Sequence, residues 1–358
     1  DGHQRAALSI DIHRRRKAAR LDWKHALLCK AANGDWQSRA FLFQRQKKSS
    51  AFSSLVLKEG GSSQAAALIQ QHYSQKFQDV RPELCPPMSE IPWCEQDLGR
   101  EPSLQEEELL YHLQRMKPGK TSGMTGTTTE LLKSIARAPS GVQMLLHLCN
   151  AVLNGTICDP QALFQGLVVL LPKKPQIQAG KDTRPIVLTE VVCKLISRIS
   201  MCRVLARWPV AHSAMGGRMH ISAADCIHVV KSMLHKTAVY GQGCVFVKVD
   251  IAGAYDTLSH NAIFRALQRW RSPDTNKSIR FLWRMLTETS LLFSVLGHTW
   301  RCKMVRGTVQ GGTHSPGLFS QLLGVTMEGM AKDWDNQGFL SAFLSGDLPL
   351  WAIWWVDD

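Results

Sequence analysis

Val245-Phe246-Val247-Lys248-Val249-Asp250-Ile251-Ala252-Gly253-Ala254-Tyr255-Asp256 is the stretch on which the reading of this chain turns. Residues 244–250 alternate with the two-residue period of a strand, and the strand ends on a carboxylate. A second apolar run, 351–356, reads as another strand and leads directly into Asp357 and Asp358. Neighbouring strands lie about 4.8 Å apart. If these two pair, acids remote in sequence converge on a space the size of a hydrated cation. Carboxylates that close repel one another. Oxygen-ligated Mg²⁺ neutralises them and clamps the attacking and leaving oxygens of a phosphoryl transfer. The plainer alternative is that Asp often follows a strand and Asp-Asp ends a turn.

Working outward, composition favours a polyanionic partner. Of 358 residues, 43 are Lys or Arg and 29 are Asp or Glu, so the net charge is +14, which points first to nucleic acid. With 44% hydrophobic and 20% charged residues the chain has enough apolar material for a packed core. The longest apolar candidate for a membrane span, 340–356, is broken by Asp347 and Pro349, which speaks against a membrane role. Ten cysteines are scattered without a Cys-x-x-Cys pair, and no secretory leader opens the chain. We therefore expect an intracellular protein, nuclear or cytoplasmic, with no structural zinc. The start at Asp1 and the end at Asp358, directly after an apolar run, suggest a piece of something longer.

The first fifty residues hold 12 Lys/Arg against four acids. Such a stretch is either a solvated helix face or an arm for phosphates, or a nuclear-import patch around Arg14, Arg15, Arg16 and Lys17. A Pro-rich stretch over 81–102 reads as a linker. Beyond it, Ser103 with Glu106 and Thr127 with Glu130 suggest capping boxes, and Ser140 suggests the cap of a helix over 141–153 that stops at Gly155. A buried strand is expected over 166–171, its partner over 184–189, and helices over 191–207 and 223–236. Gly297-His298 suggests a type II′ hairpin turn between strands 291–296 and 299–305, and Ser315-Pro316 the start of a helix reaching Trp334. No internal repeat is evident.

Three segments then fall into one order. The 245–256 stretch resembles motif A of reverse transcriptases, with an aromatic residue five positions after the acid. Arg306-Gly307-Thr308-Val309-Gln310-Gly311-Gly312-Thr313-His314-Ser315-Pro316 resembles motif B, and Trp355-Val356-Asp357-Asp358 resembles motif C. Upstream, Lys117-Pro118-Gly119-Lys120 through Gly126, Leu171-Pro172-Lys173-Lys174 with Thr183-Arg184-Pro185-Ile186, and Gly216-Gly217-Arg218 with Ser222 are similar to the finger motifs. The ordered set is most similar to reverse transcriptases of non-LTR, LINE-like retrotransposons and spans about 70% of the chain. Group II intron-type enzymes share the motifs. This sequence departs from the common pattern at Trp355-Val356 and at Gly312-Thr313-His314, and nothing continues the palm after Asp358.

The resemblance implies an α+β fold: right-hand polymerase fingers over 103–240 and a partial palm over 241–358 without a thumb, behind a basic helical extension over 1–80. It implies RNA-directed DNA polymerase activity on an RNA template and DNA primer, with dNTP as substrate and two Mg²⁺ ions, or Mn²⁺, as cofactor. Asp250 and Asp357 would be metal ligands and the Ile251 carbonyl an added donor. Asp358 would be secondary, because neighbours on an extended segment face opposite ways. Tyr255, otherwise one more half-buried aromatic, would be the steric gate beneath the incoming sugar. Arg184 with Lys173 or Lys174 would clamp the triphosphate, the Arg fork suiting paired phosphate oxygens. Gln310 and Gly311 would meet nucleotide and template, and Lys117, Lys120 and Arg218 the nucleic acid.

Other classes fit less well. A P-loop reading of Gly119-Lys120-Thr121 fails because Gln114 stands where Gly is required. A viral RNA-dependent RNA polymerase would be expected to carry an acid at the Tyr255 position and Gly at the Val356 position. A non-catalytic RNA-binding relic of a retroelement would be free to lose its acids, yet Asp250, Asp357 and Asp358 are all present.

Overall fold

The computed structural model describes residues 22, 51–78, 91–157, 163–208, 222–241, 251 and 253–337. The strands expected over 244–250 and 351–356 lie outside these residues. The described part is a mixed α/β structure around one four-stranded sheet. Helices α1 (Ser53–Lys58) and α2 (Ser62–Phe77) are followed by a 3-10 turn (Glu95–Arg100), then by α3 (Glu106–Gln114), α4 (Thr129–Ile135) and α5 (Pro139–Asn154). Strands β1 (Gln165–Pro172) and β2 (Thr183–Thr189) precede α6 (Val191–Arg207), α7 (Ala223–Tyr240), α8 (Ala254–Thr257), α9 (His260–Arg269) and α10 (Asn276–Thr287). The hairpin β3 (Ser290–Val295) and β4 (His298–Lys303) leads to α11 (Ser315–Asn336).

The strands lie in the order β2-β1-β3-β4, with β1 antiparallel to β2, parallel to β3, and β3 antiparallel to β4. Burial alternates along β2, where Thr183, Pro185, Val187 and Thr189 are buried while Arg184 is exposed. The expected fully buried strand over 166–171 is instead half-open, with Val169 39% and Leu171 47% exposed. One face of β1 is covered, by Leu55, Ile69, Tyr73 and Phe77 of α1 and α2, which pack with Val168, Val187, Leu291 and Phe293. Two helical cores flank the sheet. In one, Leu109, Leu132, Leu145 and Ile196 meet Phe281; in the other, Val204, Phe264 and Leu267 meet Leu282 and Leu318.

Several helix starts differ from the sequence expectation by a residue or two. Helix α3 begins at Glu106 behind Gln105, leaving Ser103 outside; Glu106, Glu107 and Glu108 in the first turn complement the helix dipole without a side-chain cap. Helix α4 is capped by the Thr128 hydroxyl, which accepts from the Leu131 N–H at 3.2 Å, and not by Thr127. Helix α5 begins at Pro139, whose missing N–H costs nothing at the first helical position, so Ser140 lies inside the helix. Its stop at Gly155, left-handed at φ +68, agrees with expectation, as do the bounds of α6. Helix α7 starts behind Ser222, whose N–H and hydroxyl both donate to Asp225, but it runs past residue 236 to Tyr240. In the hairpin, Val295 faces His298, so the turn residues are Leu296 and Gly297, at φ +54 and +82. Two positive φ values make this a type I′ turn and not the expected II′ turn on Gly297-His298.

The stretch expected as a linker contributes one buried charge. The carboxylate of Glu101, 1% exposed, accepts from Arg203 Nη1 at 2.9 Å and from the Ser278 N–H and hydroxyl at 2.9 and 2.5 Å. Arg203 also forks onto Glu108 at 2.6 and 2.9 Å, so α3, α6 and α10 meet at one guanidinium. Removing one partner of such a group leaves the other charge without compensation. Glu101→Ala is expected to lower the unfolding free energy by about 3 kcal/mol or more, read as a fall in the urea midpoint at unchanged slope.

Candidate active site

Ile251 and the turn after it bring the tail of the 245–256 stretch into view. Gly253, at φ +65, accepts from the N–H groups of Asp256 and Thr257 at 2.8 and 3.1 Å and so opens the single-turn helix α8. The half-buried Tyr255 ring lies 5.5 Å from that of Phe319 on α11, while Asp256 is turned inward and is 2% exposed.

The loop between β4 and α11 docks on this turn through its backbone. Gly307 N–H donates to the Leu258 carbonyl and Thr308 N–H to the Tyr255 carbonyl, both at 2.7 Å. Gly307 sits at φ +83, and a β-carbon there would lie 2.8 and 2.9 Å from the carbonyl oxygens of Asp256 and Tyr255. Only glycine permits the approach. His260 Nε2 bonds the Gly307 carbonyl at 2.8 Å. Farther along, Gln310 bonds through backbone and side chain: its main-chain carbonyl accepts from Val187 N–H at 2.8 Å, occupying the free edge of β2, and its side-chain amide donates to Asp256 Oδ2 at 3.1 Å.

The same Asp256 oxygen is reached by Lys76 Nζ, at 2.6 Å, from the last turn of α2. Lys76 and Lys173 depress the pKa of His72, one turn earlier on α2, after burial, which acts most strongly. Gly180 permits that ring's position, since a β-carbon there would lie 2.6 Å from it.

Lys173 and Lys174 differ in their commitments. Lys174 Nζ pairs with Asp182 at 2.9 Å, and that bond, together with the N–H groups of Gln178 and Ala179, holds the Asp182 carboxyl below its usual range. Lys173 donates to the Lys181 carbonyl at 3.1 Å, and its pKa is lowered first by burial and then by the like charges of Lys76 and Arg184. Arg184 is exposed on β2 opposite Leu171. Lys76, Lys173, Arg184 and Asp256 therefore share one electrostatic neighbourhood. Gly311, at φ +100, follows Gln310 with its backbone against that of Val187.

Lys117 and Lys120 are exposed on the loop between α3 and α4, where Gly119 N–H donates to Glu130. Asp250, Asp357, Asp358, Arg218 and Arg14, Arg15, Arg16 and Lys17 lie outside the described residues. Among the described residues no group of three or more His, Cys, Asp or Glu is placed to hold a metal ion. Sequence reasoning missed Lys76 and His72. Nothing in α2 distinguishes them from other polar residues on a helix, whereas Asp256 stood inside the quoted stretch without a role.

His314 follows the glycine loop and is wholly buried, with neither ring nitrogen hydrogen-bonded. Burial pushes its pKa down from about 6.5 to about 4. The folded state therefore disfavours the proton that the unfolded chain takes up below pH 6.5, so this site lowers stability as pH falls toward 4. Ser315, expected as the cap of α11, is its first residue; its hydroxyl donates to the Val309 carbonyl at 2.7 Å instead. His314→Leu is expected to stabilise the fold at pH 4.5 by up to about 3 kcal/mol and to flatten the decline between pH 6.5 and 4. Denaturant titrations at several pH values read both effects.

Residues 171–344 match the family model described as reverse transcriptase (RNA-dependent DNA polymerase). The chain is 24% identical over 160 residues to the Pol polyprotein of the type-2 retrotransposable element R2DM of Drosophila melanogaster, covering 44% of this chain and 14% of that one. It is 26% identical over 224 residues to the Pol polyprotein of a type-1 R2 element of Popillia japonica, covering 61% and 29%. The corresponding protein of Nasonia vitripennis is 22% identical over 243 residues, covering 66% and 22%. The chain thus spans less than a third of the length of these relatives.

Proposed function

Residues 171–344 carry a reverse transcriptase domain of the non-LTR retrotransposon kind, and on that premise we propose that this chain holds the fingers and partial palm of a right-hand polymerase that copies RNA into DNA. The observation that carries the proposal is the convergence on Gln310. Its loop is bonded at once to β2, which bears Arg184, and to the turn that bears Tyr255 and Asp256. Elements that the motif resemblance assigns to the incoming nucleotide, although scattered from Lys173 to Gly311, are physically joined there.

In the proposed reaction the primer 3′-oxygen forms a bond to the α-phosphorus of a dNTP, the bond to the pyrophosphate oxygen breaks, and the hydroxyl proton is lost. Little covalent work falls to the protein; alignment and charge neutralisation do most of it. Lys173 and Arg184 receive the triphosphate, with Lys174 kept on Asp182 to hold the finger loop. Tyr255 lies beneath the sugar, where a 2′-hydroxyl would collide with the ring. Gln310 and Gly311 present backbone and amide to the nucleotide. By the motif resemblance Asp250 and Asp357, with Asp358 secondary and the Ile251 carbonyl as an added donor, would hold Mg²⁺, or Mn²⁺, through hard oxygen ligands, and the ion would supply charge neutralisation at the reacting oxygens. The basic stretch Arg14–Lys17, Lys117, Lys120 and Arg218 are assigned to the template and primer phosphates.

The full polypeptide that contains these residues is expected to extend a DNA primer on an RNA template with Mg²⁺. Asp250→Ala is expected to lower that rate by about a thousandfold or more, and extension at the parental rate would refute the site. Neutralising Arg14, Arg15, Arg16 and Lys17 together is expected to reduce the slope of log affinity for single-stranded RNA against log salt by about 3, at roughly 0.7 per phosphate contact. A slope that does not change would take the arm off the RNA.

A further inference from the structure

Lys76 belongs to none of the motifs that suggested the active site, yet its ammonium group reaches the residue next to the proposed sugar gate. It lies near the end of α2, some 180 positions upstream of Asp256. The segment that carries it is fixed from several sides. The Tyr73 hydroxyl bonds the Thr183 hydroxyl at 2.6 Å, Arg306 Nε donates to the Lys76 carbonyl at 2.9 Å, and Val305 N–H donates to the Phe77 carbonyl at 3.1 Å. Burial holds the Tyr73 phenol neutral, with its pKa pushed up to about 12. The lysine is thus delivered to its place by a rigid helix end rather than by a free side chain searching solvent.

At the other end, the Asp256 side chain is 3% exposed and its Oδ2 takes both the Lys76 ammonium at 2.6 Å and the Gln310 amide at 3.1 Å. A carboxylate so buried keeps its charge only with a close cation or several donors. The adjacent Tyr255 is tied through its carbonyl to Thr308 N–H at 2.7 Å. The dipeptide Tyr255-Asp256 is therefore pinned by the β4–α11 loop at two points and by α2 at a third.

We propose that Lys76 and Asp256 are positioning residues that set the height of the Tyr255 ring, so that discrimination between deoxyribonucleotides and ribonucleotides depends on an ammonium group supplied from outside the fingers and palm motifs. This inference rests on the reading of Tyr255 as the sugar gate. A 2′-hydroxyl is excluded by a contact that a shift of about 1 Å relieves, and misplacement on that scale changes rates by one to two orders of magnitude. Without Lys76 the buried Asp256 carboxylate turns toward Lys173 or toward water, drawing the α8 turn with it. The gate drops and the finger cation is diverted.

The test compares incorporation of dGTP and GTP opposite template C by the full polypeptide on an RNA template. Four variants are measured: Lys76→Met, Lys76→Arg, the double variant Lys76→Met with Asp256→Asn, and Tyr255→Val. Lys76→Met is expected to reduce the ratio of kcat/KM for dGTP over GTP by about tenfold, chiefly through a lower KM for GTP, and Lys76→Arg to restore most of it. The double variant removes the buried charge, so it is expected to melt near the parental temperature while its ratio stays relaxed. A role in folding alone would restore both. Tyr255→Val calibrates the gate. If it relaxes the ratio while Lys76→Met and the double variant keep full discrimination, the positioning role is overturned and the gate stands. If Tyr255→Val itself keeps full discrimination, the gate reading fails and the role assigned to Lys76 falls with it.

Discussion

A carboxylate removed from water must find its compensation in the protein, and Asp256 finds it in two groups from opposite ends of the described structure. That requirement organises the centre of the molecule. To bring Lys76 within 2.6 Å, α2 must lie across the sheet with its last turn at the mouth of the 253–257 turn. To bring Gln310 within 3.1 Å, the β4–α11 loop must fold under that turn, which the glycine at 307 allows because its β-carbon would otherwise strike two carbonyl oxygens. Each approach makes the other useful, since either donor alone leaves a buried oxygen half served.

The sheet supplies the rigidity these distances need. Its apolar residues alternate so that α1 and α2 cover one face through Val168, Val187, Leu291 and Phe293. The β2 edge is taken by the main-chain carbonyl of Gln310, so an outward amide of that strand anchors the β4–α11 loop. Glu101 performs for the helices what Asp256 does for the sheet side, joining α3, α6 and α10 through Arg203. Both acids are buried and both gather elements distant in sequence. Specificity of packing is the natural consequence, because an apolar contact tolerates sliding and a buried ion pair does not.

How much of this the sequence disclosed depends on the range of the interaction concerned. Strand β2 and helix α6 were legible because two-residue alternation and a long apolar period are local properties. Helix starts slipped by one or two residues where caps competed. Thr127 and Thr128 offer the same hydroxyl, and only the fold selects the one facing Leu131. The hairpin was legible but its turn was not, because a leucine at φ +54 is a conformation the residue type argues against. For the site, the motif resemblance singled out Tyr255, Gln310, Lys173, Lys174 and Arg184 as candidates, but it could not separate the commitments of Lys173 and Lys174. Those follow from Asp182, eight residues after Lys174, whose backbone N–H donors hold it where only that lysine reaches. Lys76 was invisible because its partner lies 180 positions away and its own helix carries no signature.

The charge balance around Gln310 also bears on how Lys173 and Lys174 are divided. Lys76, Lys173 and Arg184 repel one another, which together with burial lowers the pKa of Lys173, and Asp256 answers only part of that charge. Were Lys174 also free to join them, the crowding would grow; its bond to Asp182 removes it and at the same time fixes the loop between β1 and β2. A group of like charges on a fixed frame favours a multiply charged anion over a carboxylate, because each added negative oxygen relieves repulsion already present. The triphosphate is the part of the proposed substrate that meets this description. Asp256 is buried and already paired with Lys76, so it answers one cation of the group and leaves the charge of Lys173 and Arg184 for an anion.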